Sequence, residues 1–119
     1  MKFDDPDIHE KLDLMDSAGL NALPFGVVGL DADNTVEIYN IPESKFSGLA
    51  VDHVVGRHFF HAVAPCMNNY LVAERLNDEP LLDATIPYVL TFRVRHTPVH
   101  IRLLRQPDRS RRWVLINRD

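Results

Sequence analysis

The last third of the chain consists almost entirely of strand-forming segments. Residues 85–95, 99–105 and 112–117 are rich in Val, Ile, Leu, Phe and Thr, which fit a pleated and half-buried surface. The segments are separated by turn signals at residues 96–98 and 107–110, where Pro, Asp and Ser cluster. This pattern predicts three consecutive strands, and therefore a sheet that the rest of the chain has to cover.

The first half supplies two more strands and the covering helices. Residues 25–30 form an apolar run, residues 31–34 carry Asp and Asn suited to a turn, and residues 36–39 return as a strand. Short segments follow at residues 42–46, 49–55 and 59–63, and then a helix that Asn68 or Asn69 can cap and that runs to about Asn77. The predicted fold is α+β, a five-stranded antiparallel sheet flanked by short helices.

The N-terminal segment is predicted to be one amphipathic helix. Asp5 can cap it, Pro6 suits its first position and Gly19 suits its end. Ile8, Leu12 and Met15 share one face, and the outer face is acidic. We therefore divide the chain into an N-terminal cap of residues 1–22 and a domain of residues 23–119.

Composition narrows the function classes. A chain of 119 residues is long enough for one domain, and its single cysteine excludes a disulfide framework and a CxxC zinc site. No apolar run approaches 18 residues and the first residues are acidic, so neither a membrane span nor a signal peptide is expected and a cytoplasmic location is the default. Eight of the 13 basic residues lie between Arg93 and Arg118. They alternate with apolar residues, so the exposed face of a sheet is favoured over a nucleic-acid-binding arm.

Taken singly, the candidate functional residues leave several roles open. The lone Cys66 is typical of a small buried residue, but it can be a nucleophile or an attachment point if its surroundings favour the thiolate. Glu43 is either exposed or held in an apolar pocket, where burial would keep it protonated as a donor. Tyr39 is typical of core packing at a strand end. The histidine spacings match no zinc motif, and we expect no metal site.

In order along the chain, these residues resemble the photoactive yellow proteins, blue-light receptors with a PAS fold. The segments that carry the resemblance are Leu23-Pro24-Phe25-Gly26, Tyr39-Asn40 with Glu43, Val55-Gly56-Arg57-His58-Phe59-Phe60, Val63-Ala64-Pro65-Cys66, Thr91-Phe92, Thr97-Pro98 and Trp113-Val114. The spacing from Tyr39 and Glu43 to the Gly-x-x-Phe-Phe and Val-Ala-Pro-Cys segments makes the combination specific. The resemblance covers almost the whole chain.

The resemblance implies a covalent chromophore. It is 4-hydroxycinnamic acid (p-coumaric acid), held as a thioester on Cys66 with its phenolate accepting hydrogen bonds from Tyr39 and Glu43. Ser47 replaces a threonine and would orient Tyr39. The other residues expected around the chromophore are Leu49, Phe59, Phe92 and His96. After light isomerises the chromophore, Glu43 would give it a proton, and the resulting buried charge would loosen the N-terminal cap.

Two departures and three alternatives accompany that expectation. Leu49 stands where the family has an arginine, which implies altered gating, and His96 stands where it has a methionine, which implies slow recovery. The main alternative is a PAS-fold sensory or dimerisation module without photochemistry that binds another small ligand. A haem-binding variant would need His61 or His96 in the pocket, and an enzyme would use Cys66 as nucleophile. We expect no enzyme activity, a downstream signalling protein of unknown identity, and a monomer or weak dimer.

Overall fold

A five-stranded antiparallel sheet forms the centre of the molecule, as expected. The computed structural model describes residues 1–92 and 95–118 of the chain, and the side chains at 92 and 95 lie outside this description. The strands are β1 (Gly26–Leu30), β2 (Val36–Tyr39), β3 (Leu82–Phe92), β4 (Arg95–Arg105) and β5 (Arg112–Asn117). Their order across the sheet is β2-β1-β5-β4-β3. Five helices have the bounds α1 (Ile8–Leu14), α2 (Ser17–Asn21), α3 (Ile41–Ser47), α4 (Val51–Val54) and α5 (Ala73–Asp78).

The predicted first hairpin is present. The Asp31 carboxylate accepts hydrogen bonds from the backbone N–H groups of Asp33 and Thr35, at 2.8 and 2.9 Å. Asn34 takes a positive φ of 63°, a conformation that asparagine tolerates better than most residues. These local bonds close the connection between β1 and β2.

The turn predicted at residues 96–98 is wrong, because those residues lie inside β4. Pairing of β3 with β4 runs from Leu82↔Arg105 to Phe92↔Arg95. Pro98 lies outside the part of β4 that pairs with β5, which runs only from His100 to Leu104. Its missing N–H therefore removes no hydrogen bond from the pairing of β4 with β5. The turn predicted at residues 107–110 does separate β4 from β5.

The helix expected to start at Asn68 or Asn69 begins later. The Asn69 side chain accepts from the N–H groups of Leu71 and Val72, so it closes a turn, and α5 starts at Ala73. Before it, a π-helical turn covers Phe59–Val63 and a 3-10 turn covers Pro65–Met67.

The single N-terminal helix is also wrong: the segment forms α1 and α2. Met15 is extended, with φ −80° and ψ 143°, and ends α1. Asp16 starts α2 afresh by accepting from the Gly19 N–H at 2.9 Å, because a short acidic side chain there satisfies a helix-end donor. Ile8 and Leu12 are buried as predicted, whereas Leu14 is exposed.

Separate apolar clusters cover the two faces of the sheet. We call the first the cap cluster: it joins the N-terminal helices to one face through Ile8, Leu12, Leu20, Val27, Trp113 and Leu115. The second, the site cluster, lies under the central helices and contains Val28, Tyr39, Phe59, Val63, Val114 and Ile116. Consecutive residues such as Val27 and Val28 fall in different clusters because side chains alternate across a strand.

Several arginines expected on an exposed sheet face are instead used inside the structure. Arg102 is 5% exposed and forms two 2.8 Å bonds to Asp83. The same guanidinium donates to the backbone carbonyls of Phe3 and Asp5 at 2.9 and 2.8 Å. The basic segment therefore holds the N-terminal cap on the sheet.

Candidate functional site

Tyr39 and Ser47 form the first buried polar pair. Tyr39 ends β2, and its hydroxyl donates to the Ser47 Oγ at 2.9 Å. Ser47, at the end of α3, also accepts from the Leu49 N–H at 3.1 Å. Burial, together with the nearby Glu43 carboxylate, raises the pKa of Tyr39, so its hydroxyl keeps its proton.

Glu43 is the most buried acid of this region, with 1% of its surface exposed. It lies in the first turn of α3, where the Asn40 side chain caps the helix by accepting from the Glu43 N–H at 3.1 Å. The carboxyl group lies over β1 at Gly26, where any Cβ would overlap it. Glycine at that position makes room for the acid.

The partner of the Glu43 carboxyl group is Arg118. The guanidinium donates to both carboxylate oxygens, at 2.7 and 3.1 Å, and its opposite side lies over the Phe46 ring at 4.2 Å. Burial raises the pKa of Glu43, while the hydrogen bonds and charge of Arg118 act against that rise. Glu43 was expected to be a neutral donor to a phenolate, and here it lies in an ion pair.

Cys66 lies in the 3-10 turn after the π-helical turn and is half-buried. Its side chain packs against the site cluster, which also contains Tyr39 and Phe59. Its backbone carbonyl accepts from the Tyr88 hydroxyl and from the Asn69 amide. The Tyr88 bond ties Cys66 to β3, and the Asn69 bond closes the turn that follows the cysteine.

The other residues predicted around the chromophore have different positions. Leu49 is half-buried against the site cluster, and Phe59 is buried inside it. His96 is exposed on β4, with its Nδ1 3.2 Å from the Thr91 Oγ1. The side chain of Phe92 lies outside the described residues.

A cleft opens beside the site cluster on the side of Leu49. Its volume is about 310 Å³ and its lining comprises Leu49, His53, Val54, Arg57, Ala62 and Val63. Val54 and Val63 belong to both the cleft lining and the site cluster, and Leu49 packs against that cluster. The cleft therefore adjoins the apolar cluster that contains Tyr39 and against which Cys66 packs.

Three groups of contacts were missed by the sequence interpretation. Arg118 was counted only as part of a basic segment, since its position beside Glu43 depends on the Gly26↔Ile116 register of β1 and β5. Tyr88 and Asn69 could not be connected to Cys66 without the fold. Asn40 was noted as part of a motif, and an Asn three residues before Glu43 is a helix-start signal that would have given its capping role.

Metal-binding groups and membrane-spanning helices can be assessed for the described part of the chain. No group of three His, Cys, Asp or Glu side chains there is arranged to hold a metal ion. Among the helices described, none has the length and apolar character needed to cross a bilayer.

Comparisons with known proteins agree with the geometry. No family model matches the chain. A photoactive yellow protein of Rhodobacter capsulatus is 30% identical over 108 residues, which is 85% of this chain and 84% of that protein. The photoactive yellow protein domain of the sensor histidine kinase Ppr from Rhodospirillum centenum superposes with a TM-score of 0.84 at 32% identity, covering 92% of this chain and 98% of that domain. The PAS domain of an HTR-like protein from Haloarcula marismortui has a TM-score of 0.69 at 18% identity, over 95% and 98% of the two chains, and shows the fold alone.

The fold and its covering helices define a PAS domain, as the sequence predicts. Within that class, the chain belongs to the photoactive yellow protein family. This membership supports a photoreceptor-type PAS domain, and the family is one that binds a small-molecule chromophore.

Proposed function

We propose that this protein is a blue-light receptor that carries 4-hydroxycinnamic acid as a thioester on Cys66. The observation that carries the proposal is the placement of a half-buried lone thiol beside the apolar cluster that holds the Tyr39–Ser47 pair, with Glu43 buried nearby on α3. In a family of chromophore-binding receptors, this is a site for a small aromatic group with one polar end.

The residues present fit such a group in three respects. Tyr39 and Ser47 offer hydroxyl groups that are bonded to each other, and the Ser47 hydroxyl also donates to the Ser44 carbonyl and accepts from the Leu49 N–H. Phe59 and Val63 supply apolar surface for a ring. The cleft at Leu49 gives an entry path of about 310 Å³. A buried phenolate is costly unless strong donors hold it, and these hydroxyl groups are such donors.

Cys66, Tyr39 and Glu43 would each have a separate role. The Cys66 thiolate attacks the activated carboxyl carbon, forming the C–S bond as the activating group leaves. Bound there, the chromophore supplies a double bond that light isomerises. Tyr39 donates to the phenolate and keeps its own proton because its pKa is raised. Glu43 is the residue that holds or releases the exchanged proton, and the N-terminal cap is the element that loosens.

The remaining parts of the proposal concern the protein's role. It acts as a receptor and not as an enzyme, with a downstream signalling protein as partner. It works in the cytoplasm as a monomer or weak dimer, without nucleic acid or membrane as partner. The absorption maximum and the identity of that partner are open to measurement.

The test is loading of the purified protein with activated 4-hydroxycinnamic acid. We expect a yellow protein, one added 4-hydroxycinnamoyl group by intact mass, and a light-induced, reversible loss of the visible band. Cys66→Ser is the matched control, because a serine replaces a thiol with little volume change and should fold without forming the adduct. An equal adduct on the serine variant would place the attachment elsewhere and overturn the proposal.

One observation favours a second function, a PAS module that binds a different small ligand without photochemistry. The Glu43–Arg118 ion pair gives the site an internal partner for its acid, so the fold does not depend on a phenolate for electrostatic balance. If the protein remains unloaded and colourless under conditions that load other family members, this function replaces the first.

A further inference from the structure

The Glu43–Arg118 pair is nearly inaccessible to solvent. The side chains are 1% and 8% exposed, respectively, and both carboxylate oxygens are engaged by the guanidinium. Arginine keeps its positive charge in proteins, so a neutral Glu43 would leave a buried cation without a counter-ion. Losing one partner of a buried pair is strongly destabilising, so this geometry is that of a carboxylate.

The same side chain is required to be neutral in the proposed function. A carboxylate only accepts hydrogen bonds, whereas a protonated carboxyl group also donates one. Glu43 can therefore donate to a phenolate only after it has gained a proton, and it then no longer matches the two donors of Arg118. The two partners require opposite charge states of one acid.

We propose that Glu43 exchanges partners, and that Arg118 is its counter-ion whenever the carboxyl group has no proton. This inference rests on the proposed function. In the chromophore-free protein Glu43 is ionised and bound to Arg118. When the chromophore loads, its phenol gives its proton to the Glu43 carboxylate, so the negative charge passes to the phenolate and the protonated Glu43 donates to the phenolate oxygen. After light, the proton moves from the Glu43 oxygen to the phenolate oxygen, and the carboxylate returns to the guanidinium.

Arg118 therefore changes the expected consequence of proton transfer. The buried charge left on Glu43 was expected to disrupt the pocket, but here Arg118 is already within hydrogen-bond distance of both carboxylate oxygens. The groups with charge or titratable protons that face Glu43 in the described structure are Arg118, which follows β5, and Tyr39 on β2. Since Tyr39 stays neutral, Arg118 is the positioning residue that decides how stable the lit state is.

The first experiment uses the chromophore-free protein and needs no photochemistry. The infrared C=O stretch of a protonated carboxyl group is compared in wild type, Arg118→Gln and Arg118→Lys at neutral pH, each with and without Glu43→Gln. We expect no Glu43-dependent acid band in wild type, a clear band in Arg118→Gln, and a weak one or none in Arg118→Lys. Arg111→Gln, which removes a pair with the exposed Glu37, is the control and should match wild type. A Glu43 acid band of equal strength in wild type and Arg118→Gln overturns the proposal.

The second experiment uses the loaded protein. Arg118 stabilises the ionised Glu43 of the lit state. Arg118→Gln should therefore shorten the lifetime of the lit state about tenfold or more, and Arg118→Lys should change that lifetime less. An unchanged lifetime in Arg118→Gln overturns the partner exchange. If no chromophore loads, the proposed function fails and the exchange with it, while the acid band of the chromophore-free protein still decides whether Arg118 holds Glu43 ionised.

Discussion

Glu43 depends on Gly26 for space. The carboxyl group occupies the position where a side chain of β1 would project toward α3. A Cβ atom at residue 26 would overlap the carboxylate group of Glu43. Because Arg118 holds that carboxylate in place, Glu43 cannot move aside without losing its ion pair. Gly26 is thus required by packing against one particular side chain and not by its backbone angles.

Gly26→Ala should lower the free energy of unfolding by about 1–3 kcal/mol, the usual cost of overpacking a core. The same substitution in a Glu43→Ala background should cost markedly less, because the overlapping atoms are gone. Urea unfolding of the four proteins of this cycle measures the coupling. An equal cost in both backgrounds would mean that Glu43 does not lie over Gly26.

Tyr39 has a pH dependence whose sign is fixed by its raised pKa. In the unfolded chain tyrosine ionises near pH 10, while the folded protein holds the proton to higher pH. The folded state then binds more protons than the unfolded state above about pH 10, so the tyrosine's stabilising contribution is complete below that pH and is lost as pH rises beyond it.

We therefore expect Tyr39→Phe to reduce the loss of stability between pH 9 and 11, although it removes the bond to Ser47 at neutral pH. The measurement is the free energy of unfolding against pH for wild type and the variant. Tyr70, which is 71% exposed, gives the control Tyr70→Phe, whose pH curve should follow that of wild type. Parallel curves for wild type and Tyr39→Phe would contradict the buried hydroxyl.

Among the elements, α3 is joined to β1 and to α2 by one side chain. The Asn40 oxygen accepts from the N–H groups of Val27 and Glu43, at 2.9 and 3.1 Å. Its amide donates to the carbonyls of Leu20 and Phe25, at 3.0 and 3.1 Å. A single buried asparagine thus connects the helix that carries Glu43 to β1 and to the end of α2 in the N-terminal cap.

Asn40→Ala should cost about 2 kcal/mol or more, since it removes a helix cap and leaves buried backbone groups unpaired. We expect faster amide hydrogen exchange in both α2 and α3, including the Leu20 and Glu43 segments, with β4 unchanged. Asn21→Ala is the comparison variant, because it removes a single exposed bond between α2 and α3, to the Ile41 N–H, and should raise the exchange rates less than Asn40→Ala. Faster exchange confined to α3 would show that Asn40 does not connect the cap to the site helix.

A second element-scale prediction concerns α1 and acid. His9 is buried with its Nε2 3.0 Å from the Arg111 carbonyl oxygen, so that nitrogen donates, while its Nδ1 is buried without a partner. Burial lowers the pKa of His9, although the charge of Asp13 and the bond to the Arg111 carbonyl oppose this. Of the other charged groups near the ring, Arg109 lowers the pKa and Asp108 raises it. Above the ordinary value near 6.5 its stabilising contribution is complete, and it is lost as pH falls toward the folded-state value.

The N-terminal cap should therefore loosen as pH falls below about 6.5. The only tryptophan is a direct probe, because the Trp113 Nε1 donates to Asp13 of α1 at 2.8 Å. We expect its fluorescence to change between pH 6.5 and 5 in wild type and to change less in His9→Gln, which keeps a donor and does not titrate. An identical acid response in the two proteins would assign the change to another group.

The elements also show what the sequence could and could not predict. The hairpin of β1 and β2 and the apolar face of α1 were predicted because turn residues and side-chain spacing are local signals. The turn predicted at Thr97-Pro98 was wrong because β4 pairs there with β3 alone. Whether a proline falls in a strand with one neighbour or two depends on the tertiary structure and is not visible in the local sequence. The Glu43–Arg118 pair was hidden for the same reason, since its partners are 75 positions apart and meet only through the register of β1 with β5.

At the scale of the whole molecule, one sheet separates the site cluster from the cap cluster. Along β5, Val114 and Ile116 face the site, while Trp113 and Leu115 face the cap. Asn40 joins the helix that carries Glu43 to the cap, and the cap is held by apolar packing together with the Arg102 and Trp113 hydrogen bonds. Loosening it has to break buried contacts, so the opened state should be a minor one in the dark.

In the loaded protein, illumination should raise the amide exchange rates of α1, α2 and α3, while the centres of β4 and β5 keep their dark rates. The reason is that the cap joins the rest of the fold through one face of the sheet, whereas β4 and β5 are paired on both sides between residues 100 and 104 and between residues 113 and 116. Deuterium uptake by mass spectrometry in the dark and under continuous blue light makes the measurement.

The Cys66→Ser protein, which carries no chromophore, should show the same uptake in light and dark. Glu43→Gln should load but open less, because an amide has no proton to transfer and no charge for Arg118 to bind. Equal opening in Glu43→Gln and wild type would show that isomerisation alone, without proton transfer from Glu43, releases the cap.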